Sequence, residues 1–262
     1  MRVRLETREA DGRPATAVEV DVDAGGRLAQ IVVGSQPLLR PAHTDDRRAI
    51  DWGCYPMAPW VGRLGRGHFE FEGVLHRIAP NLGPHAIHGL VFDRSWEVDE
   101  HRPATLSLHC PVRWPLGGTV TQRLTLTADR LTSELTVEPT TGPLVAEVGW
   151  HPWFQRPDEL EFAPLAMYER GPDHLPTGRT IRPTPPPWDD CFLATGPATL
   201  RYDRPEAPVV VIESDCDHWV IFDEPADATC VEPQSGPPDA FNLRPRRLEP
   251  GERLSRTMTI RW

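Results

Sequence analysis

The 262-residue chain contains no lysine; all 28 of its basic residues are arginine. That excludes every chemistry that needs a side-chain primary amine, including Schiff-base catalysis, a pyridoxal-phosphate anchor and the phosphate-gripping lysine of a P-loop. No stretch approaches the roughly 18 consecutive apolar residues of a membrane span, and the opening Met1–Arg13 stretch lacks the apolar core of a secretory signal. There is no C-x-x-C pair. The five cysteines (Cys54, Cys110, Cys191, Cys216 and Cys230) are odd in number and widely spaced, which fits reduced thiols in a cytoplasmic protein better than a disulfide framework or a zinc site. No basic run is longer than Arg-Arg and the formal net charge is -10, which argues against a nucleic-acid partner. No repeat on the scale of roughly 20–50 residues, no low-complexity tract and no linker between two compositions interrupts the chain.

What is present is punctuation and alternation. With 30 proline and 20 glycine residues, regular helix is broken repeatedly, while 39% apolar content and 9 tryptophans supply a core. Val18, Val20 and Val22 alternate with acids. Phe69 and Phe71 alternate with His68, Glu70 and Glu72 before a turn at Gly73. Val120, Leu124, Leu126 and Ala128 share one strand face, interrupted by Gln122. The spacing predicts a hairpin turning at Asp129-Arg130 into Leu131, Ser133, Leu135 and Val137. Val209–Ile212 and Trp219–Phe222 read as buried strands, and Met258, Ile260 and Trp262 as a closing one. The proline-rich Ile181–Pro187 piece is too short to divide domains and is expected to be an ordered extended loop. The pattern predicts an all-β protein, a large antiparallel β-sandwich forming a single domain over residues 1–262.

Four segments differ from plain sandwich sequence. Ala58–Gly67 sets Arg63 and Arg66 among glycine and proline, either a solvated turn or a fork of donors for hydroxyl or carboxylate oxygens. His85-Ala86-Ile87-His88-Gly89 spaces two histidines as metal ligands could be spaced, or holds loop histidines of which one is catalytic; no tight set of further ligands is visible, so no metal is expected. Gly149-Trp150-His151-Pro152-Trp153-Phe154 places a histidine between tryptophans, as an acid–base group beside sugar-stacking faces or as a core histidine at a strand end. Cys230-Val231-Glu232-Pro233-Gln234 offers a carboxylate as a candidate general base, with an ordinary surface glutamate as the alternative.

Taken together and in order, these segments resemble the aldose 1-epimerase (galactose mutarotase) family over roughly residues 50 to 262. Gly62-Arg63-Leu64 with Gly67-His68-Phe69, Asn81 with His88-Gly89 and Trp96, and His151-Pro152-Trp153-Phe154-Gln155 are similar to family stretches. So are Trp188-Asp189-Asp190-Cys191-Phe192, Cys230–Gln234 with Pro238-Asp239-Ala240-Phe241-Asn242, and Leu248-Glu249-Pro250-Gly251-Glu252. Departures are Gly62 in place of an asparagine, one glycine after His88 instead of two, Trp153 for a tyrosine and Gln155 for an asparagine. They bear on which sugar is bound more than on the chemistry.

The resemblance implies the galactose mutarotase-like supersandwich and exchange of the α and β anomers of a free aldose, with no cofactor and no metal. It implies Glu232 as the base at O1, His151 as the acid at O5, and His88 steadying charge near O5. Arg63 and Asp189 would hold ring hydroxyls, with Gln234 and Trp153 as further contacts. The expected partner is a small-molecule sugar, with no nucleic acid and no membrane, for a monomer or homodimer. Competing expectations are a hexose-6-phosphate mutarotase drawing on Arg40, Arg47, Arg48 and Arg66, a non-catalytic carbohydrate-binding protein, and a glycoside hydrolase pairing Asp189 with Glu232. With ordinary values of about 4.3 and about 6.5, an ionised Glu232 and a protonated His151 coexist mainly between those pH values.

Overall fold

The computed structural model describes residues 1–10, 12–42 and 49–262. Two antiparallel sheets face each other. The first has eleven strands, in the order Arg2–Thr7, Thr16–Asp21, Arg27–Val33, Cys54–Met57, Gly149–Gln155, Ala228–Gln234, His218–Phe222, Asp189–Leu193, Ala166–Arg170 and Pro176–Ile181, with Gln36–Pro37 added to Arg27–Val33. The second has eight, in the order Glu97–Arg102, Thr105–Pro111, Thr119–Leu126, Arg130–Glu138, Leu254–Arg261, Val210–Ser214, Ala198–Arg201 and Glu159–Glu161. Among the described residues the α-helix is confined to the single turn Ala240–Leu243, and no helix is long and apolar enough to cross a membrane.

Each central strand buries alternate residues between the sheets. Leu5, Ile31, Trp150, Phe154, Phe192, Trp219 and Val231 from the first sheet meet Leu108, Leu124, Leu135, Ile212 and Ile260 from the second in one core. The interruption at Gln122 is satisfied there: its buried amide donates to the Gly26 carbonyl at 2.7 Å. Trp150 adds a hydrogen bond across the core, from its indole N–H to the Ser133 hydroxyl at 2.9 Å.

Two hairpins show how turn chemistry sets register. Between His68–Phe71 and Val74–Arg77 the turn residues Glu72 and Gly73 both have positive φ, 52° and 74°, the twist that matches flanking strands. In the Thr119–Leu126 and Arg130–Glu138 pair, Leu126 stands opposite Leu131 and the Thr127 N–H donates to the Arg130 carbonyl. The connection is therefore Ala128-Asp129, one residue earlier than the sequence predicts. The Asp129 carboxylate explains the shift, because it accepts from the Thr127 hydroxyl at 2.9 Å and from Arg130 Nε at 3.1 Å. The proline-rich stretch after Ile181 is an ordered crossing between strands of one sheet, tied by the Trp188 indole donating to the Thr184 carbonyl at 2.8 Å.

Ser133→Ala should remove the only hydrogen-bond acceptor of the buried Trp150 indole among the described residues. We expect a loss of about 1–3 kcal/mol, the cost of an unsatisfied buried donor, read as a lower urea midpoint at unchanged m-value.

Candidate active site

Side-chain parity decides which residues leave the core. On Gly149–Gln155, Trp150 and Phe154 point between the sheets, so His151 and Trp153 point to the other face. On Ala228–Gln234, Val231 faces the core and Cys230 and Glu232 face outward. Gly149 pairs with Gln234 and Trp153 with Cys230, a register that sets His151 opposite Glu232. Pro152 and Pro233 offer no N–H to the ladder between those pairs. His151 Nε2 lies 3.2 Å from Glu232 Oε1, with both side chains buried at 6% and 3% exposure. Both line a cleft of about 370 Å³ on the outer face of the eleven-stranded sheet, within the usual range of small-molecule sites.

Burial dominates the electrostatics of the pair. It pushes the Glu232 carboxyl well above its ordinary range, with Asp189 adding repulsion, and the Gln234 amide only partly offsets it. It pushes His151 well below its ordinary value, reinforced by His88. His151 is clamped between two rings, stacked on Tyr55 at 4.8 Å and on Trp153 at 5.3 Å between centroids. Trp153 is anchored by its indole N–H donating to the Ile50 carbonyl at 2.8 Å, with the Arg40 guanidinium over its ring.

His88 enters the cleft from a strained loop. Its φ is +63° and its N–H donates to the Gly62 carbonyl at 2.9 Å. Gly89, at φ +79°, tolerates no side chain: a Cβ there would sit 2.0 Å from the Ala58 carbonyl oxygen. Gly62 is likewise left-handed, at φ +54°, with a Cβ position 2.8 Å from Pro238 Cγ. Asn81 secures the loop by accepting from the Ile87 N–H at 2.7 Å.

Tyr55, which the sequence reading did not single out, fixes the His88 ring. Its hydroxyl donates to the Ile50 carbonyl at 3.1 Å and lies 2.8 Å from His88 Nδ1. With the hydroxyl proton directed to the Ile50 carbonyl, His88 Nδ1 donates to Tyr55 and Nε2 is left as the lone-pair nitrogen. Burial, then the Arg63 charge, push the His88 imidazolium down to about 3, so the neutral ring is the resident form.

Arg63 and Asp189 meet across the cleft, with Nη2 3.3 Å from Oδ2. Arg170, also missed in the sequence, holds the same oxygen at 3.1 Å and the Asp189 carbonyl at 2.8 Å. Gln234 is fully buried and is not part of the cleft wall; its amide donates to Glu232 Oε2 at 3.1 Å, a place behind the carboxylate in contrast to the expected sugar contact. The Pro-Asp-Ala-x-Asn tail is a clamp: Asp239 accepts from the Gly65 N–H at 2.8 Å and its own N–H donates to the Arg63 carbonyl at 2.7 Å.

His85 and His88 do not converge on a common site. His85 accepts from the Arg66 N–H at 3.1 Å and donates to the Asp173 carbonyl at 3.0 Å, a fully used structural histidine. The fold does assemble one cluster the sequence reading did not expect: ligand-type atoms of His151, Cys230 and Glu232 lie within 4.8 Å of one another. No compact sequence signal marks Tyr55 or Arg170, because each acts on a residue of another segment, Tyr55 on loop residue His88 and Arg170 on Asp189 of the neighbouring strand.

Residues 18–261 match the family model for aldose 1-epimerase. The chain is similar to YphB, an uncharacterised protein of Escherichia coli (strain K12), with 26% identity over 284 residues covering 94% of this chain and 96% of YphB. A galactose mutarotase-like protein from Clostridium acetobutylicum superimposes with a TM-score of 0.83 at 16% identity, covering 98% of this chain and 97% of that one. The galactose 1-epimerase of Lactobacillus acidophilus superimposes at 0.74 and 15% identity, covering 100% and 98%. At these identities the two structures attest the fold.

The Tyr55 contact generates a spectroscopic prediction. Imidazole nitrogen correlation NMR should find His88 neutral, with its proton on Nδ1, from about pH 8 down to about pH 5, where a free histidine is largely charged. Tyr55→Phe should mix the two tautomers. A wild-type His88 that charges near its ordinary value would contradict this geometry.

Proposed function

The chain belongs to the aldose 1-epimerase family, and we propose that it is an isomerase that exchanges the α and β anomers of a free aldose by acid–base opening and closing of the sugar ring. The observation that carries this reading is the buried His151–Glu232 contact of 3.2 Å at the wall of the cleft. Anomer exchange requires a proton to leave the C1 hydroxyl while another reaches the ring oxygen. The C1–O5 bond breaks, the C1–C2 bond rotates, and the ring closes on the other face. Glu232 takes the proton from O1 and His151 delivers its own to O5.

Burial favours this cycle. A doubly protonated pair would carry net positive charge in the pocket and a fully deprotonated pair net negative charge, so one shared proton is the favoured count. Ring opening leaves Glu232 protonated and His151 neutral, the forms that burial of each side chain stabilises. Opening thus runs from the ion-pair form of the pair to its neutral form, and closure returns the proton.

The surrounding groups act as holders. Asp189, charge-compensated by Arg63 and Arg170, accepts a ring hydroxyl, and Arg63 donates to another. His88, presenting a bare Nε2, accepts from a hydroxyl, in place of the role near O5 that the resemblance implies. Trp153 walls the cleft and keeps His151 in plane, while Gln234 aims Glu232. Asp189 has two guanidinium neighbours, which suits a hydroxyl holder better than the second carboxylate of a glycoside hydrolase. A free aldose is favoured over a phosphorylated one because Arg40 is engaged by Asp227 at 2.9 Å. Arg66 is not part of the cleft wall, and Arg47 and Arg48 lie outside the described residues. Five buried cysteines without a disulfide support a cytoplasmic enzyme. We read residues 1–262 as one domain acting as monomer or homodimer, with no cofactor.

Glu232→Gln and His151→Asn should each slow exchange by about 10²-fold or more while leaving the circular dichroism unchanged. The assay is two-dimensional exchange NMR over a panel of free and phosphorylated aldoses. A folded variant near the wild-type rate would remove its residue from the mechanism. The pH profile follows from the signs. Burial opposes adding a second proton, moving the acidic limb down, and opposes losing the shared one, moving the basic limb up. The background-corrected kcat/KM should therefore show a plateau through neutrality, wider than the interval of about 4.3 to about 6.5 set by ordinary values.

A further inference from the structure

Cys230 lies beside the pair, and the mechanism above does not use it. It lies two residues before Glu232 on the same strand, so both side chains share a face, and it is fully buried against Tyr55, Met57 and Trp153. Its sulfur, an imidazole nitrogen of His151 and a Glu232 oxygen lie within 4.8 Å of one another, with the nitrogen–oxygen contact at 3.2 Å. Around a tetrahedral zinc ion, bond lengths of about 2.0–2.3 Å place neighbouring ligand atoms about 3.4–3.6 Å apart. The nitrogen–oxygen contact already lies near that spacing, and the sulfur would close on the ion as it binds.

We propose that His151, Cys230 and Glu232 form an inhibitory site for a soft divalent metal ion of the zinc class, which binds by capturing the acid–base pair itself. The donor set is one nitrogen, one sulfur and one carboxylate oxygen. A thiolate and a carboxylate around a dication, completed by a neutral imidazole, sum to zero charge, so the filled site buries no net charge under the sheet. The sulfur selects zinc, cobalt or cadmium over magnesium and calcium, which prefer all-oxygen shells. The fourth position is left to a water molecule. A metal so placed occupies the lone pairs that Glu232 and His151 need for proton transfer. Metal and sugar therefore compete, and the metal-free protein is the active form.

The activity arm rests on the proposed anomer exchange; the binding arm does not. Cobalt(II), added to protein stripped with chelator, should bind one ion per chain. It should give the intense visible bands of a tetrahedral site with a sulfur-to-cobalt charge-transfer band in the near ultraviolet. Cys230→Ser and Cys230→Ala should both abolish that band. Zinc should inhibit wild-type exchange competitively with sugar, magnesium should not, and either Cys230 variant should need more than about tenfold more zinc for the same inhibition while keeping its metal-free rate. Chelation should leave or raise the wild-type rate. A wild-type cobalt spectrum without sulfur charge transfer overturns the site whether or not any sugar is turned over. Undiminished zinc inhibition in folded Cys230 variants, or a rate lost on chelation and restored by zinc, overturns it equally.

Discussion

Burial of an imidazole and a carboxylate against each other is the constraint on which the site depends. Removed from water, His151 and Glu232 are each driven toward the uncharged form, one down and one up. Each alone would be a costly buried polar group. Together, 3.2 Å apart, they hold one proton at little electrostatic cost and can trade it. The neighbours serve that arrangement: Tyr55 and Trp153 hold the imidazole between two rings, and the Gln234 amide holds the free carboxylate oxygen.

The fold makes the burial possible on the side of the sheet away from the core. The eleven-stranded sheet spends one face on the eight-stranded sheet, so the parity that sends Trp150, Phe154 and Val231 inward sends His151, Trp153 and Glu232 outward. Loops then roof that second face. Their strained positions, His88 at φ +63° and Asp239 at φ +59°, lie where chain segments cross at close range. Gly89 cannot carry a side chain for the same reason. The clamps from Asn81 and Asp239 stabilise backbone that would not adopt these angles alone.

The strands were legible because alternation is a local property. Val120, Leu124 and Leu126 announce their burial within eight residues, and Gly73 announces its turn. The family motifs brought His88, His151, Asp189 and Glu232 into view, and the fold gathers them at one cleft. Pairing was not legible. Tyr55 reaches a loop histidine, His88, and Arg170 reaches Asp189 on a neighbouring strand, and neither sits in a distinctive local pattern. The difference between His85 and His88 was equally hidden, since it lies in which backbone groups each ring meets and not in their spacing. Cys230 was one of five widely spaced reduced thiols until its neighbours across the ladder were known.

The central claim is that His151 and Glu232 work as one proton-sharing unit. A double-mutant cycle of anomer exchange, with Glu232→Gln, His151→Asn and the two combined, tests it directly. Groups that act together lose their whole contribution when either is removed. The account predicts that the double variant is slowed about as much as either single variant. Losses that multiply, so that the double variant falls by the product of the two single effects, would show two independent contributions and contradict it.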